Sequence, residues 1–315
     1  MDPVSKIIVP FFALIFFGYV AARRNWVPIA AVPAFNGFLL YFAVPALLFR
    51  FASTAAIAEI MNGRFFIAYA VGGLITLFLV IFFARRVMGA RLRDASFYGL
   101  AASATNIGYL AIPLLVALLG ASAASPAMLA TVCEMTIIAS VAVALSQLDG
   151  THSSGWRQAV RDAIVRAALN PFVISIVVGA VFSALRWQLP TPINEIMNLL
   201  ANAAGPCALF AIGVSLYRPS ATQGLALIAL PVAGKLFLHP FVMWLALLAF
   251  GVDSFTVTVG VLTAALPTAG WVFIFAQRYE ADVARISTAL VASTALAAAT
   301  FSALVWYFGL GMGTK

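Results

Sequence analysis

Residues 104–109 read Ala104-Thr105-Asn106-Ile107-Gly108-Tyr109, with Pro113 close behind, and residues 265–271 read Ala265-Leu266-Pro267-Thr268-Ala269-Gly270-Trp271. Each cluster falls near the middle of a long apolar run, 95–119 and 253–277. Proline removes a backbone donor and glycine loosens the chain, so each cluster predicts a broken helix. Each also carries a side chain able to replace lost backbone hydrogen bonds, as lipid requires. The second half of a broken helix presents N–H groups carrying about half a positive charge. If two antiparallel spans cross at their breaks, two such ends converge and an anion site forms without a formal charge. A carboxylate is the natural guest. The competing explanation is that Pro and Gly only kink packed helices, which is common in membranes. Two breaks in matching spans favour the crossing. The candidate substrate-binding residues are Asn106, Ile107, Gly108, Tyr109, Pro267, Thr268, Ala269 and Gly270, with Trp271 placed to wall the site.

The rest of the chain surrounds these breaks with apolar residues. Of 315 residues, 64% are hydrophobic and 9% charged, and the mean hydropathy is +1.06. Soluble domains are near half apolar and a quarter charged, so a soluble enzyme, a nucleic-acid binder and a disordered chain are excluded. Apolar runs fall at 6–23, 32–52, 64–86, 95–119, 124–147, 162–186, 192–217, 222–250, 253–277 and 282–308. A bilayer core takes about 20 apolar residues per helix. Ten such spans leave no room for a soluble domain. The runs do not alternate polar and apolar, which excludes a membrane barrel. The prediction is an all-α polytopic membrane protein with ten transmembrane helices.

The net charge of +8 is distributed between the spans. Arg23, Arg24, Arg85, Arg86, Arg91, Arg93, Arg157, Arg161, Arg166, Arg218, Arg278 and Arg285 lie on odd-numbered connections. Lys6, Arg50, Arg64, Arg186 and Lys315 lie on even connections and termini. The positive-inside rule then puts the odd connections in the cytoplasm and both termini outside it. This accounts for the charge without nucleic acid. The run 6–23 reads as a retained first span, because no basic n-region precedes it and no small-residue cleavage site follows. Cys133 and Cys207 sit in apolar runs and read as small core residues. No metal spacing or cofactor motif accompanies them. Trp26, Trp187 and Trp306, near span ends, read as interfacial anchors.

Sliding the chain against itself by 161 residues aligns Pro10 with Pro171, Gly18 with Gly179, Trp26 with Trp187 and Pro45 with Pro206. It also aligns Gly63 with Gly224, Gly73 with Gly234 and Gly99 with Gly260. Composition alone gives about one such match. The unit is five helices, an odd number, so the second copy enters from the opposite side. Residues 1–147 and 162–315 are the two inverted repeats, joined by a polar cytoplasmic linker, 148–161. Inverted repeats are common in secondary transporters, with the substrate site at mid-membrane.

Two charges lie inside the spans. Glu134 is mid-run in the fifth and Lys235 mid-run in the eighth. A charge at the bilayer centre costs about 2.5–3.5 kcal/mol even on a lenient scale. Such residues pair or line a pathway. The two share a depth and could meet, either as a static structural pair or as a proton-coupling pair with Glu134 the carrier. His239 lies one turn beyond Lys235 on the same face and reads as a hydrogen-bonded core residue.

Several stretches resemble the auxin efflux carrier family. They are Phe42-Ala43-Val44-Pro45-Ala46-Leu47-Leu48-Phe49, the run from Ala104 to Pro113, Leu169-Asn170-Pro171, the run from Gly205 to Leu216, and Phe275-Ala276-Gln277-Arg278-Tyr279-Glu280. The resemblance covers the whole chain. It implies a sodium/proton-antiporter-like fold with helices 4 and 9 crossed at their breaks. It also implies a scaffold of spans 1, 2, 6 and 7, a mobile core of spans 3–5 and 8–10, elevator motion, and a homodimer through the scaffold. In the plant carriers of that family a polar residue at each break holds a carboxylate. Asn106 matches the first, while Thr268 and Ala269 stand where a second Asn is expected. The plant carriers' long central loop is missing. The resemblance is to compact bacterial members, of the inner membrane, for which small dicarboxylates such as malonate or malate are the usual assignment.

The expected function is therefore secondary transport of small organic anions, such as malonate, malate or auxin-like acids, with the lipid bilayer as the protein's surroundings. The alternative is a sodium-coupled bile-acid-type symporter, which calls for several oxygen ligands at the crossing. A channel fits an inverted repeat with two breaks less well. An intramembrane enzyme needs paired aspartates, a Ser–His pair or a zinc motif. The spans carry none, so no enzyme is expected.

Overall fold

The structure, a computed structural model, describes residues 3–54, 62–148, 169, 171–217 and 225–309. Most of the linker 148–161, the start of the sixth span, Arg218 and Lys315 lie outside the described residues. All secondary-structure elements among the described residues are helical. They are α1 (Pro3–Arg23), α2 (Ile29–Thr54), α3 (Gly63–Met88), α4 (Leu92–Ser103), α5 (Ile112–Leu119), α6 (Ala121–Gln147), α7 (Pro171–Leu185), α8 (Thr191–Leu216), α9 (Ile228–Ala249), α10 (Ser254–Ala264), α11 (Gly270–Arg278) and α12 (Val283–Tyr307). Six helical stretches among the described residues are long and apolar enough to cross a membrane. Together with the chain's composition they define a polytopic membrane protein.

The helix ends follow local chemistry. Asn62 opens α3 by accepting the Phe65 N–H at 3.0 Å. Asp253 opens α10 by accepting the Thr256 N–H at 2.9 Å, and Asp282 opens α12 by accepting the Arg285 N–H at 3.1 Å. Each cap satisfies one donor that a first helical turn leaves orphaned. Arg85 and Arg86 occupy the last turn of α3, where cations complement the helix dipole. Trp26, Trp187 and Trp306 are all largely exposed.

Helix α1 packs along α8, α7 packs along α2, and α2 and α8 pack on each other. Helix α3 lies against α4 and α9, and α12 against α9 and α11. The first of these contacts is close enough to require glycine. A Cβ built on Gly18 falls on the carbonyl oxygen of Phe210, and one on Gly213 falls on that of Ile15. At the other contact a Cβ on Gly179 sits 2.7 Å from the carbonyl oxygen of Phe49 and 2.7 Å from the Ala52 Cβ. Small residues let helices approach where lipid offers no hydrophobic drive to associate. Gly213→Ala is expected to destabilise the protein by about 1–3 kcal/mol through overpacking. Thermal unfolding in detergent checks this. Gly37→Ala is the control, because nothing lies within 4 Å of a Cβ there.

A polar cluster ties the start of α4 to the start of α12. The Tyr98 hydroxyl donates to Asp282 Oδ2 at 2.7 Å and accepts from Arg285 at 2.6 Å. The Asp282 N–H donates to Asp94 at 2.9 Å. Asp282 and Arg285 thus fasten two helices 184 residues apart in the chain.

Candidate functional site

The two sequence clusters interrupt their helices where expected, and they meet. Helix α4 stops at Ser103, and Ala104 is extended at φ −99° and ψ 131°. A π turn, Ile107–Ala111, follows and leads into α5. On the other strand of the pairing α10 stops at Ala264 and α11 begins at Gly270. Thr105 and Thr268 form an antiparallel bridge. The Asn106 N–H donates to the Pro267 carbonyl at 3.1 Å, and the Ala269 N–H donates to the Ala104 carbonyl at 3.3 Å. Each break therefore satisfies backbone groups freed by the other, which a non-aqueous interior demands.

Side chains complete the junction. Thr268 Oγ1 donates to the Ala101 carbonyl at 2.8 Å, near the frayed end of α4. The Thr268 N–H donates to Ser293 Oγ at 3.3 Å, linking the second break to α12. Both threonines are buried. The Asn106 side chain makes no capping bond to the π turn it precedes. Gly108 and Tyr109 continue that turn, and the Tyr109 side chain lies outside the described residues.

Glu134 and Lys235 are 1% and 0% exposed and both reach the junction. Each lies at the start of a π turn, Glu134–Ile138 in α6 and Gly234–Leu238 in α9. Such one-turn expansions re-aim side chains and recur at functional sites. The sequence left open whether the two charges meet as a pair. Among the described residues no ion pair within 4.0 Å joins them. Thr105 stands between instead. Its N–H donates to Glu134 Oε2 at 2.8 Å, and its Oγ1 accepts from Lys235 Nζ at 2.5 Å. Glu134 Oε1 accepts from the Tyr69 hydroxyl at 3.0 Å. Lys235 Nζ also lies 3.0 Å from His239 Nδ1. An ammonium only donates, so with Lys235 charged Nδ1 is the acceptor in this contact. The result is one buried chain of polar groups, Tyr69–Glu134–Thr105–Lys235–His239, running past the first break. His239 is a hydrogen-bonded core residue, as its position suggested.

Beside the chain is a small recess. Its polar wall is Thr105, Asn106, Thr131 and Glu134, and its apolar wall is Ile107, Met135, Phe172 and Trp271. The space open to the centre of a water-sized sphere is about 20 Å³, which holds one water. Trp271, which follows the second break, lines the recess. Pro267, Ala269 and Gly270 contribute backbone at the junction and do not line the recess. Sequence reasoning missed Tyr69, Thr131, Met135, Phe172 and Ser293, and it quoted Thr105 without giving it a role. A larger apolar groove of about 440 Å³ by the same measure, between α9 and α12, includes Phe237, Phe241, Trp244 and Tyr307 and has no charged group in its lining.

A polytopic helical bundle with two mutually paired breaks and buried charges beside them has the form of a membrane carrier. Comparison with known proteins agrees. The family model described as "Membrane transport protein" matches residues 3–307, and the chain belongs to that family, the auxin efflux carrier family whose motifs it carries. It is 34% identical over 316 residues to a Rhizobium meliloti protein named "Putative malonate transporter", covering 99% of this chain and 98% of the relative. It is 25% identical over 291 residues to the "Uncharacterized transporter YfdV" of Escherichia coli, covering 92% of each. It is 28% identical over 163 residues to "Auxin efflux carrier component 7" of Arabidopsis thaliana, a match spanning 50% of this chain and 25% of the carrier.

Proposed function

We propose that this membrane transporter is a secondary carrier of small organic anions, short dicarboxylates such as malonate or malate foremost, working by alternating access in the inner membrane. The observation that carries the reading is the junction itself, where two helix breaks pair and Asn106 faces a recess beside it. The first turn of α11, at Gly270 and Trp271, adds N–H groups without intrahelical partners. Together these give a carboxylate hydrogen-bond donors and helix-end fields without a fixed counter-charge. The relative named for malonate supports the choice of substrate.

The reading includes ten spans in two inverted five-helix repeats, crossed at spans 4 and 9. The glycine contacts support it. Shifting Gly18 and Phe210 by 161 residues in opposite directions gives Gly179 and Phe49, and the same close approach recurs there. In the proposed cycle α1, α2, α7 and α8 form a fixed scaffold, joined to a second copy of the chain as a homodimer. The remaining helices carry the site across the membrane as an elevator. The recess fits an occluded stage of that cycle, since Phe172 of the scaffold closes against core residues. Glu134 and Lys235 couple proton movement to transport through Thr105. The sodium-coupled alternative draws less support from the donor set, because the recess is lined by one carboxylate, Glu134, and an ammonium stands next in the chain of groups.

The test is Asn106→Ala in a binding titration against malonate and malate. A hydrogen bond to a charged group is worth about 1.5–3 kcal/mol, so affinity is expected to fall about tenfold or more with the fold intact. Unchanged affinity removes Asn106 from the site.

A further inference from the structure

We infer that the recess takes its acid as a single negative charge whose far end donates a hydrogen bond to Glu134, so a short diacid is carried singly ionised and not as the dianion. This rests on the anion-site reading above and adds the charge state of the substrate. The one acidic or basic side chain lining the recess is Glu134. Lys235 does not line it, since its ammonium is spent behind Thr105 on Thr105 Oγ1 and His239 Nδ1. Asn106 and the first turn of α11 serve one carboxylate. Glu134 lines the same polar wall, beyond Thr105, with Met135 and Phe172 beside it. A second ionised carboxylate there meets a like charge in a place that water barely enters, and two such charges do not both stay ionised at close range.

Glu134 has capacity for a donor. Oε1 already accepts from Tyr69 and Oε2 from the Thr105 N–H. An ionised carboxylate has about four acceptor positions, and with the Thr105 side chain also bonding to it one remains open. The titratable groups around it are Tyr69 on α3, Cys133 on its own helix, and Lys235 and His239 on α9, and none of them lines the recess. A protonated carboxyl on the substrate fills the vacancy with its O–H. The proton is shared between the substrate and a Glu134 oxygen, and no covalent bond between heavy atoms changes. The ligand must be short, because Thr105, bonded through its N–H to Glu134, is the immediate chain neighbour of Asn106, and the recess, which holds one water as it stands, has to widen to admit even malonate.

Three compounds separate charge from donor. Malonate is a dianion at high pH. Malonamate has one carboxylate and an amide N–H donor that does not titrate. Monomethyl malonate has one carboxylate and no donor. Binding to the purified protein at neutral pH is expected to be at least about tenfold tighter for malonamate than for the ester. Malonate affinity is expected to fall about tenfold per pH unit above its second ionisation, while malonamate affinity stays level. Glu134→Gln is expected to narrow the amide-over-ester gap to a few-fold, whereas Asn106→Ala weakens all three compounds alike. The inference is overturned if the ester binds as tightly as the amide, or if malonate binds more tightly as pH rises. Binding of none of the three overturns the anion site itself, which is a different result.

Discussion

Lys235→Met is expected to lower stability by about 3–5 kcal/mol, the usual cost of leaving one buried charge without its partner. Lys235 is fully buried, and Glu134 is 1% exposed. The two are linked through one residue, Thr105, so removing the ammonium strands the carboxylate with two neutral donors and no cation. The double variant Lys235→Met with Glu134→Gln has no stranded charge and is expected to recover much of the loss. The coupling energy from the four-member cycle is expected to exceed about 1 kcal/mol, above what independent sites show. Unfolding midpoints in detergent for the four proteins measure it. A Lys235→Met protein as stable as the parent contradicts the charge chain.

The second large effect is on pH dependence. Glu134→Gln is expected to flatten uptake across about pH 5 to 8, the range over which a short diacid passes to its dianion. With glutamine in place the recess has no fixed negative charge, so a dianion and a monoanion enter on nearly equal terms. In the parent protein, uptake of a short diacid is expected to rise as pH falls, because the singly ionised form grows at the expense of the dianion. The groups facing Glu134, namely Tyr69, Cys133, Lys235 and His239, are unchanged in this variant. A static structural role gives another pattern: lower stability, with the pH profile of the surviving uptake intact. Uptake into proteoliposomes at a series of pH values separates the two.

Much of this arrangement was legible before any coordinates. Breaks expected at Asn106–Gly108 and Pro267–Gly270 fall within a residue or two at 104–106 and 265–269, beside the proline and glycine that predicted them. Glu134 and Lys235 announce themselves by their cost. What the sequence hid has two causes. Tyr69 looks like one more aromatic in an apolar run, and its bond to Glu134 spans 65 residues. Thr105 meets Lys235 across 130 residues, a pairing set by how four helices pack. The π turns at Glu134 and Gly234 carry no sequence signature, since they differ from an α-helix by a single extra residue in one turn. They re-aim both charges toward Thr105, which explains why a direct pair, reasonable from shared depth, is replaced by a relay.

The central claim is that the paired breaks form the binding site of an organic-anion carrier. Counterflow tests it most directly: proteoliposomes loaded with unlabelled malonate are diluted into a trace of labelled malonate. A carrier is expected to accumulate label transiently above equilibrium, with the overshoot reduced about tenfold or more in Asn106→Ala. Equilibration without an overshoot, or the same overshoot in Asn106→Ala as in the parent protein, contradicts the account.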